Sequence, residues 1–168
     1  MSMMSIRAAT PRDREAIRLV EEHAFGQQAE AGLVDALVTD GDAVVELVAE
    51  EDGQVVGHIL FSRLFVRNGA KEFAAVALAP LAVEPSFHGT GIGGALIREA
   101  HVRLKEAGET LAVVLGDPVY YGRFGYTHAR AGKFESEYQG DALQALAWGD
   151  APETGRLVYA SAFTALAA

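Results

Sequence analysis

The chain has 168 residues, half of them hydrophobic, a formal net charge of −9 and no cysteine, which suffices for one domain with a sizeable core over residues 1–168. That charge argues against nucleic acid or an anionic membrane as partner, since both need basic surface, and the missing cysteine excludes disulfides, thiolate metal sites and cysteine nucleophiles. Met1-Ser2-Met3-Met4-Ser5 has no charged stretch leading into an apolar run, and no run reaches transmembrane length, so a cytoplasmic protein without a targeting segment is expected.

Ser5 to Ala9 leans apolar and ends at Thr10-Pro11-Arg12-Asp13, a helix entry with Thr10 as N-cap and Pro11 at the first helical position. Ile17, Val20 and Ala24 mark the face of that helix. A second helix spans Ala29 to Val38 with Leu33, Val34 and Leu37 on one face, and the pair reads as an exposed helical hairpin or lid. From Ala43 the pattern becomes strand-like over 43 to 50, 54 to 66 and 72 to 83, with turns at Glu51-Asp52-Gly53 and Asn68-Gly69, an antiparallel meander.

The third of these strands is almost wholly apolar from Ala75 to Val83 and therefore buried. It runs into Phe87-His88-Gly89-Thr90-Gly91-Ile92-Gly93-Gly94, with four glycines in six residues, and then into a helix marked by Ile92, Ala95, Leu96, Ala100, Leu104 and Ala107. Gly108 stops that helix, and Thr110 to Leu115 forms a strand that completes a β-α-β unit with parallel pairing. Asp117-Pro118 ends the strand, Val119 to Phe124 is a short helix, and Tyr126 restarts extended chain. The stretch 131 to 152 has no clear period, and Arg156 to Thr164 alternates as a last strand.

The glycine junction suits an anion. The first turn of a helix presents amide N–H groups without intrahelical partners at the positive end of the helix dipole. Between Pro85 and Arg98 no Asp or Glu competes for that site. A Walker A loop is excluded, because Gly94 is followed by Ala95-Leu96 where the lysine and hydroxyl belong. Gly89, Gly91 and Gly94 formally match Gly-x-Gly-x-x-Gly, with Asp117 as ribose acid. In a dinucleotide fold, however, the glycines follow the strand at once, whereas Glu84 to His88 intervene here.

Val83 to Ile97 resembles the acetyl-CoA motif of the GNAT superfamily of N-acetyltransferases, Gln/Arg-x-x-Gly-x-Gly/Ala, with His88, Gly91 and Gly93 in its positions. Tyr120-Tyr121-Gly122-Arg123-Phe124-Gly125-Tyr126 is similar to that family's C-terminal tyrosine segment, and Leu115-Gly116-Asp117-Pro118 adds a likeness to bacterial-type predicted acetyltransferases. The resemblance implies an α/β (α+β) GNAT fold with a mixed, mostly antiparallel sheet of about six to seven strands. It implies acetyl-CoA as co-substrate, transfer of acetyl directly to a primary amine of a small molecule or protein, and no metal. Position by position, the backbone amides of Gly89, Gly91, Gly93 and Gly94 would receive the pyrophosphate, with Thr90 and Ile92 in the same cofactor-binding turn, and Leu81, Ala82 and Val83 would pair through their backbone with pantetheine. Arg98 and Arg123 either meet the 3′-phosphate or are solvated surface arginines. Tyr121 matches the general acid that protonates the CoA thiolate, with Tyr120 as its packing partner.

His88 departs from the usual Gln or Arg and would donate weakly to phosphate when neutral. The strand from Phe73 to Val83 carries no acid, so the base is sought among Glu84, Glu50, His58 and Asp117, with Glu84 named first. His58 also fits a satisfied structural histidine and Glu50 a solvated hairpin residue. The acceptor pocket is expected between Phe25 to Leu37 and Phe134 to Leu146, where Glu135, Glu137 and Asp141 form either a cation lure or an acidic surface loop. A non-catalytic acyl-CoA sensor and an NAD(P)-binding oxidoreductase are the competing functions, and a homodimer is left open.

Overall fold

The computed structural model describes residues 3–167, with side chains through Thr164; Met1 and Ser2 of the N-terminal stretch lie outside the described residues. In chain order the elements are β1 (Met4–Ala8), a 3-10 turn at Pro11–Asp13, α1 (Arg14–Phe25), α2 (Ala29–Thr39), β2 (Ala43–Glu51), β3 (Gln54–Asn68) and β4 (Lys71–Val83). A 3-10 turn at Pro85–Phe87 then leads to α3 (Ile92–Glu106), β5 (Leu111–Leu115), α4 (Pro118–Gly122) and α5 (His128–Ala131). The chain continues through β6 (Phe134–Glu135), β7 (Leu143–Ala147), β8 (Gly155–Val158) and α6 (Ala162–Ala167).

The strands form one eight-stranded sheet in the order β1-β2-β3-β4-β5-β7, with β8 pairing both β3 and β6. All pairings are antiparallel except β4 with β5 and β6 with β8. The mixed, mostly antiparallel architecture is the one expected, with one strand more than the upper count. A single β-α-β crossover, β4-α3-β5, follows the antiparallel meander.

Helices cover both faces, which is why β4 reads as an apolar run rather than an alternating one. Ile59, Phe61, Val76, Leu78, Ala112 and Val114 meet Ile92, Leu96, Ile97, Ala100 and Leu104 of α3. On the opposite face Val48 and Leu60 meet Ile17, Leu33, Val34 and Leu37. Those helical residues are at most 5% exposed, so α1 and α2 form a packed layer of the fold and not the exposed hairpin or lid expected from their spacing.

The last strand is likewise shorter than expected. Only Gly155–Val158 is extended, because β3 offers it just three partners, Phe65 to Arg67, and Ala162–Ala167 is helical. At the other end, the Thr10 N–H and hydroxyl donate to the Asp13 carboxylate, which also takes two hydrogen bonds from the Arg7 guanidinium at 2.7 and 2.8 Å. Among the described residues, no helix is long and apolar enough to cross a membrane.

Candidate active site

The site begins where the sheet divides. β4 and β5 pair only at Val76–Leu78 with Ala112–Val114, after which β4 continues to Val83 with β3 as its partner on one edge alone. Among the described residues, the other edge of Leu81–Val83 has no strand partner, and these residues line an open cleft. The turn that follows holds Gly89 and Gly91 at φ of +79° and +85°, a left-handed geometry that glycine adopts without a Cβ penalty. The turn stands at the head of α3, whose first turn carries no acid, where amides without intrahelical partners favour an anion. The Thr90 hydroxyl donates to the Phe87 carbonyl and holds the turn's shape.

A cleft of about 540 Å³ lies along this edge. Leu81, Ala82, Val83, His88, Gly89, Gly91, Ile92, Gly93, Gly94 and Arg123 of the expected cofactor set line it, together with Arg98, Tyr120 and Phe124; Thr90 does not. A Cβ on Gly93 would come within 2.7 Å of Tyr120 Oη, so this phenol sits directly over the glycine turn. Arg98 stacks on Phe124 at 5.0 Å, and Arg123 lies 5.8 Å from the Tyr120 ring and 5.6 Å from the Phe124 ring. The two aromatic faces thus hold both guanidinium groups at the cleft rim. His88 differs from its expectation: Nε2–H donates to the Val83 carbonyl at 2.8 Å, so this proton closes the turn onto β4 and is not free for a phosphate.

A second cleft of about 460 Å³ adjoins the first, the two sharing Phe25 and Leu81. Tyr121 lines it, beside Leu78, Pro80 and Leu115 from the diverging strands and Tyr138, Tyr159 and Phe163 from the C-terminal segment. Gly116 makes this placement feasible, since a Cβ there would stand 2.6 Å from Tyr121 Cε2. Burial pushes the Tyr121 phenol up to about 12, with Tyr120 adding to the effect, so it holds its proton at neutral pH. Tyr126 is otherwise engaged, its hydroxyl lying 2.9 Å from His101 Nε2.

None of the four base candidates lines either cleft. Glu84 Oε1 lies 2.8 Å from His23 Nδ1, tying the last turn of α1 to the end of β4. Glu50 is taken by Arg7, and Asp117 accepts from the Val119 N–H at 2.9 Å as the N-cap of α4. His58 is fully buried, with Nδ1 2.7 Å from Glu21 Oε2 and Nε2 2.7 Å from Glu46 Oε2. Each of those contacts needs one proton, so the three groups share two protons and one negative charge, which Arg14 balances at Glu46. Burial alone would lower the His58 pKa, but the two carboxylates outweigh it and hold the value above the ordinary one.

The carboxylate that does line the second cleft is Glu30, at the start of α2. It falls inside the expected Phe25 to Leu37 segment, but an acid in a first turn reads as a partner of the helix dipole, so no local signal marked it. Tyr138 comes from the expected Phe134 to Leu146 segment, while Glu135, Glu137 and Asp141 are exposed and line nothing, an acidic surface loop.

A family model described as an acetyltransferase (GNAT) domain matches residues 5–129. The uncharacterized N-acetyltransferase YjhQ of Escherichia coli K12 is 41% identical over 116 residues, 68% of this chain and 64% of that protein, so the match spans just under two thirds of the relative. The uncharacterized N-acetyltransferase YhbS of the same strain is 39% identical over 124 residues, 73% of each chain. Its crystal structure with CoA superposes with a TM-score of 0.89 at 33% identity, covering 98% of this chain and 93% of that one. A GNAT family acetyltransferase from Brucella melitensis, crystallised with acetyl-CoA, gives 0.82 at 40% identity over 96% and 98%.

Proposed function

The chain belongs to the GNAT acetyltransferase family, and on that premise we propose that it binds acetyl-CoA in the first cleft and passes the acetyl group directly to a primary amine in the second. The observation that carries this reading is the junction of the two clefts at Phe25 and Leu81, with Tyr121 beside it. On this reading the diphosphate sits on the Gly89 to Gly94 turn and the thioester, threaded along Leu81–Val83, reaches that junction. The amides of Gly89, Gly91, Gly93 and Gly94 then receive the diphosphate, Arg98 and Arg123 meet the remaining phosphate, and pantetheine amides pair with the open edge of β4 as an added strand would.

The neutral amine attacks the thioester carbonyl, forming the C–N bond, and the tetrahedral intermediate collapses with cleavage of the C–S bond. Tyr121 gives its proton to the departing sulfur and regains one from the new amide nitrogen, so protons balance without a separate base touching the amine. This arrangement agrees with Glu84 lying outside both clefts. Its pair with His23 serves instead to hold α1 against the end of β4.

Calorimetric titration with CoA and with NAD(P), followed by thiol release on adding an amine to the acetyl-CoA complex, tests the reading. Binding of CoA with negligible NAD(P) binding, and amine-dependent thiol release, is expected. NAD(P) binding in place of CoA refutes the cofactor assignment, and CoA binding without release to any amine leaves an acyl-CoA sensor in place of a transferase.

A further inference from the structure

The two clefts differ in charge. Among the described residues, the first is lined by Arg98 and Arg123 and by no Asp or Glu, whereas the second is lined by one acidic side chain, Glu30, and by no Lys or Arg. The second also has an aromatic wall. Tyr138 and Tyr159 meet edge to face with centroids 5.3 Å apart at 84°, and Tyr159 meets Phe163 at 5.5 Å and 61°. Burial drives the Tyr159 phenol far above its ordinary value, so that wall stays uncharged. The Glu30 oxygens each accept from Gln27 Nε2, at 3.0 and 3.2 Å, and a carboxylate accepting one such bond per oxygen keeps lone pairs for a further donor.

A volume of about 460 Å³ lies within the range of small-molecule sites, about 300–1,000 Å³. A polyamine needs several carboxylates and tolerates apolar walls poorly, because each unpaired ammonium must be desolvated. A single acid beside stacked rings suits one ammonium on an aromatic body, which gains both ion pairing and edge-to-face contact.

We propose that the acceptor is a small arylalkyl primary amine, its ring against Tyr138, Tyr159 and Phe163 and its ammonium seated on Glu30; the ammonium gives one proton to solvent water, and the neutral nitrogen then attacks the thioester carbon. The proposal rests on the transfer reading above for its chemistry and on the cleft alone for its binding.

The test compares 2-phenylethylamine and tryptamine with ethanolamine, spermidine and a lysine-containing peptide, reading kcat/KM by thiol release and binding by calorimetry on the CoA-loaded protein. The arylalkyl amines should exceed the others at least about tenfold in kcat/KM. Glu30→Gln should raise their KM about tenfold with the KM for acetyl-CoA within about twofold, and Tyr138→Ala should weaken the arylalkyl amines at least about tenfold more than it weakens ethanolamine. Ethanolamine, spermidine or the peptide performing as well as the arylalkyl amines overturns the proposal while leaving the transfer reading intact. Arylalkyl amines that bind without thiol release uphold the seat and overturn transfer, and an acetyl-CoA complex that neither binds nor acetylates them overturns the seat.

Discussion

Replacing Tyr121 by Phe removes one oxygen and keeps the ring that fills the space beside Gly116. With the phenol at about 12, only about one molecule in ten thousand carries phenolate at pH 8, so the proton is available over the whole working range. General acid catalysis of this kind is worth about 10²–10⁴-fold, or roughly 2.7–5.5 kcal/mol of barrier. The expected result is a fall of that size in kcat for Tyr121→Phe from pH 6 to 10, with the KM for acetyl-CoA within about twofold, since the phenol lines the second cleft and not the first. Gly116→Ala probes the same group by position: its Cβ would stand 2.6 Å from Tyr121 Cε2, so the ring must move by roughly 1 Å, which costs about 10²-fold. Both are read by thiol release in steady state and in a single turnover, which separates chemistry from product release. A Tyr121→Phe enzyme within threefold of the parent in single turnover across that range refutes the general acid assignment.

Gly91→Asp puts a carboxylate at a position with φ of +85° on the anion turn, and should weaken CoA binding roughly 100-fold, about 2.8 kcal/mol; unchanged affinity by calorimetry contradicts the diphosphate site. His58→Leu leaves Glu21 and Glu46 buried without their shared partner, at a cost of about 3–5 kcal/mol, which lowers Tm by roughly 6–20 °C at pH 7. The deficit should narrow near pH 4 as the carboxylates protonate, and a Tm loss below about 2 °C at pH 7 in scanning calorimetry refutes that account. His101 is held down to about 4, mainly by burial, against an ordinary 6.5, so it is neutral in the fold. Its contribution is therefore complete above pH 6.5 and lost as pH falls from 6.5 to 4, to a total of about 3 kcal/mol. Tm measured over that window should fall less steeply for His101→Phe, and equal slopes refute the assignment.

Legibility followed the range of the interactions. The β4-α3-β5 unit was readable because an apolar run, a glycine cluster and a helical period are all local patterns. Nine of the expected cofactor-side residues that line the first cleft stand on that unit, and the tenth, Arg123, comes from the end of α4. The base candidates were readable as residue types but not as partners: His58 meets Glu21 across 37 positions and Glu84 meets His23 across 61, and no window of sequence contains either pair. The stretch 131–152 resisted assignment because β6 has two residues and β7 five, and each is extended only by pairing with a distant strand, β8 or β5. Tyr159 and Phe163 lie in the alternating run Arg156 to Thr164, whose period suggests a strand, yet the strand ends at Val158 and both residues line the second cleft as the chain turns into α6.

The open edge of Leu81–Val83 has a thermodynamic corollary. A molecule that pairs with it binds the folded chain and not the unfolded one, so stability becomes a function of free CoA concentration: at 100 times Kd the fold gains about 2.7 kcal/mol. For a chain of this size that is roughly 5–11 °C in Tm. The opening between β4 and β5 therefore makes the protein's persistence, and not its turnover alone, report on the supply of its cofactor.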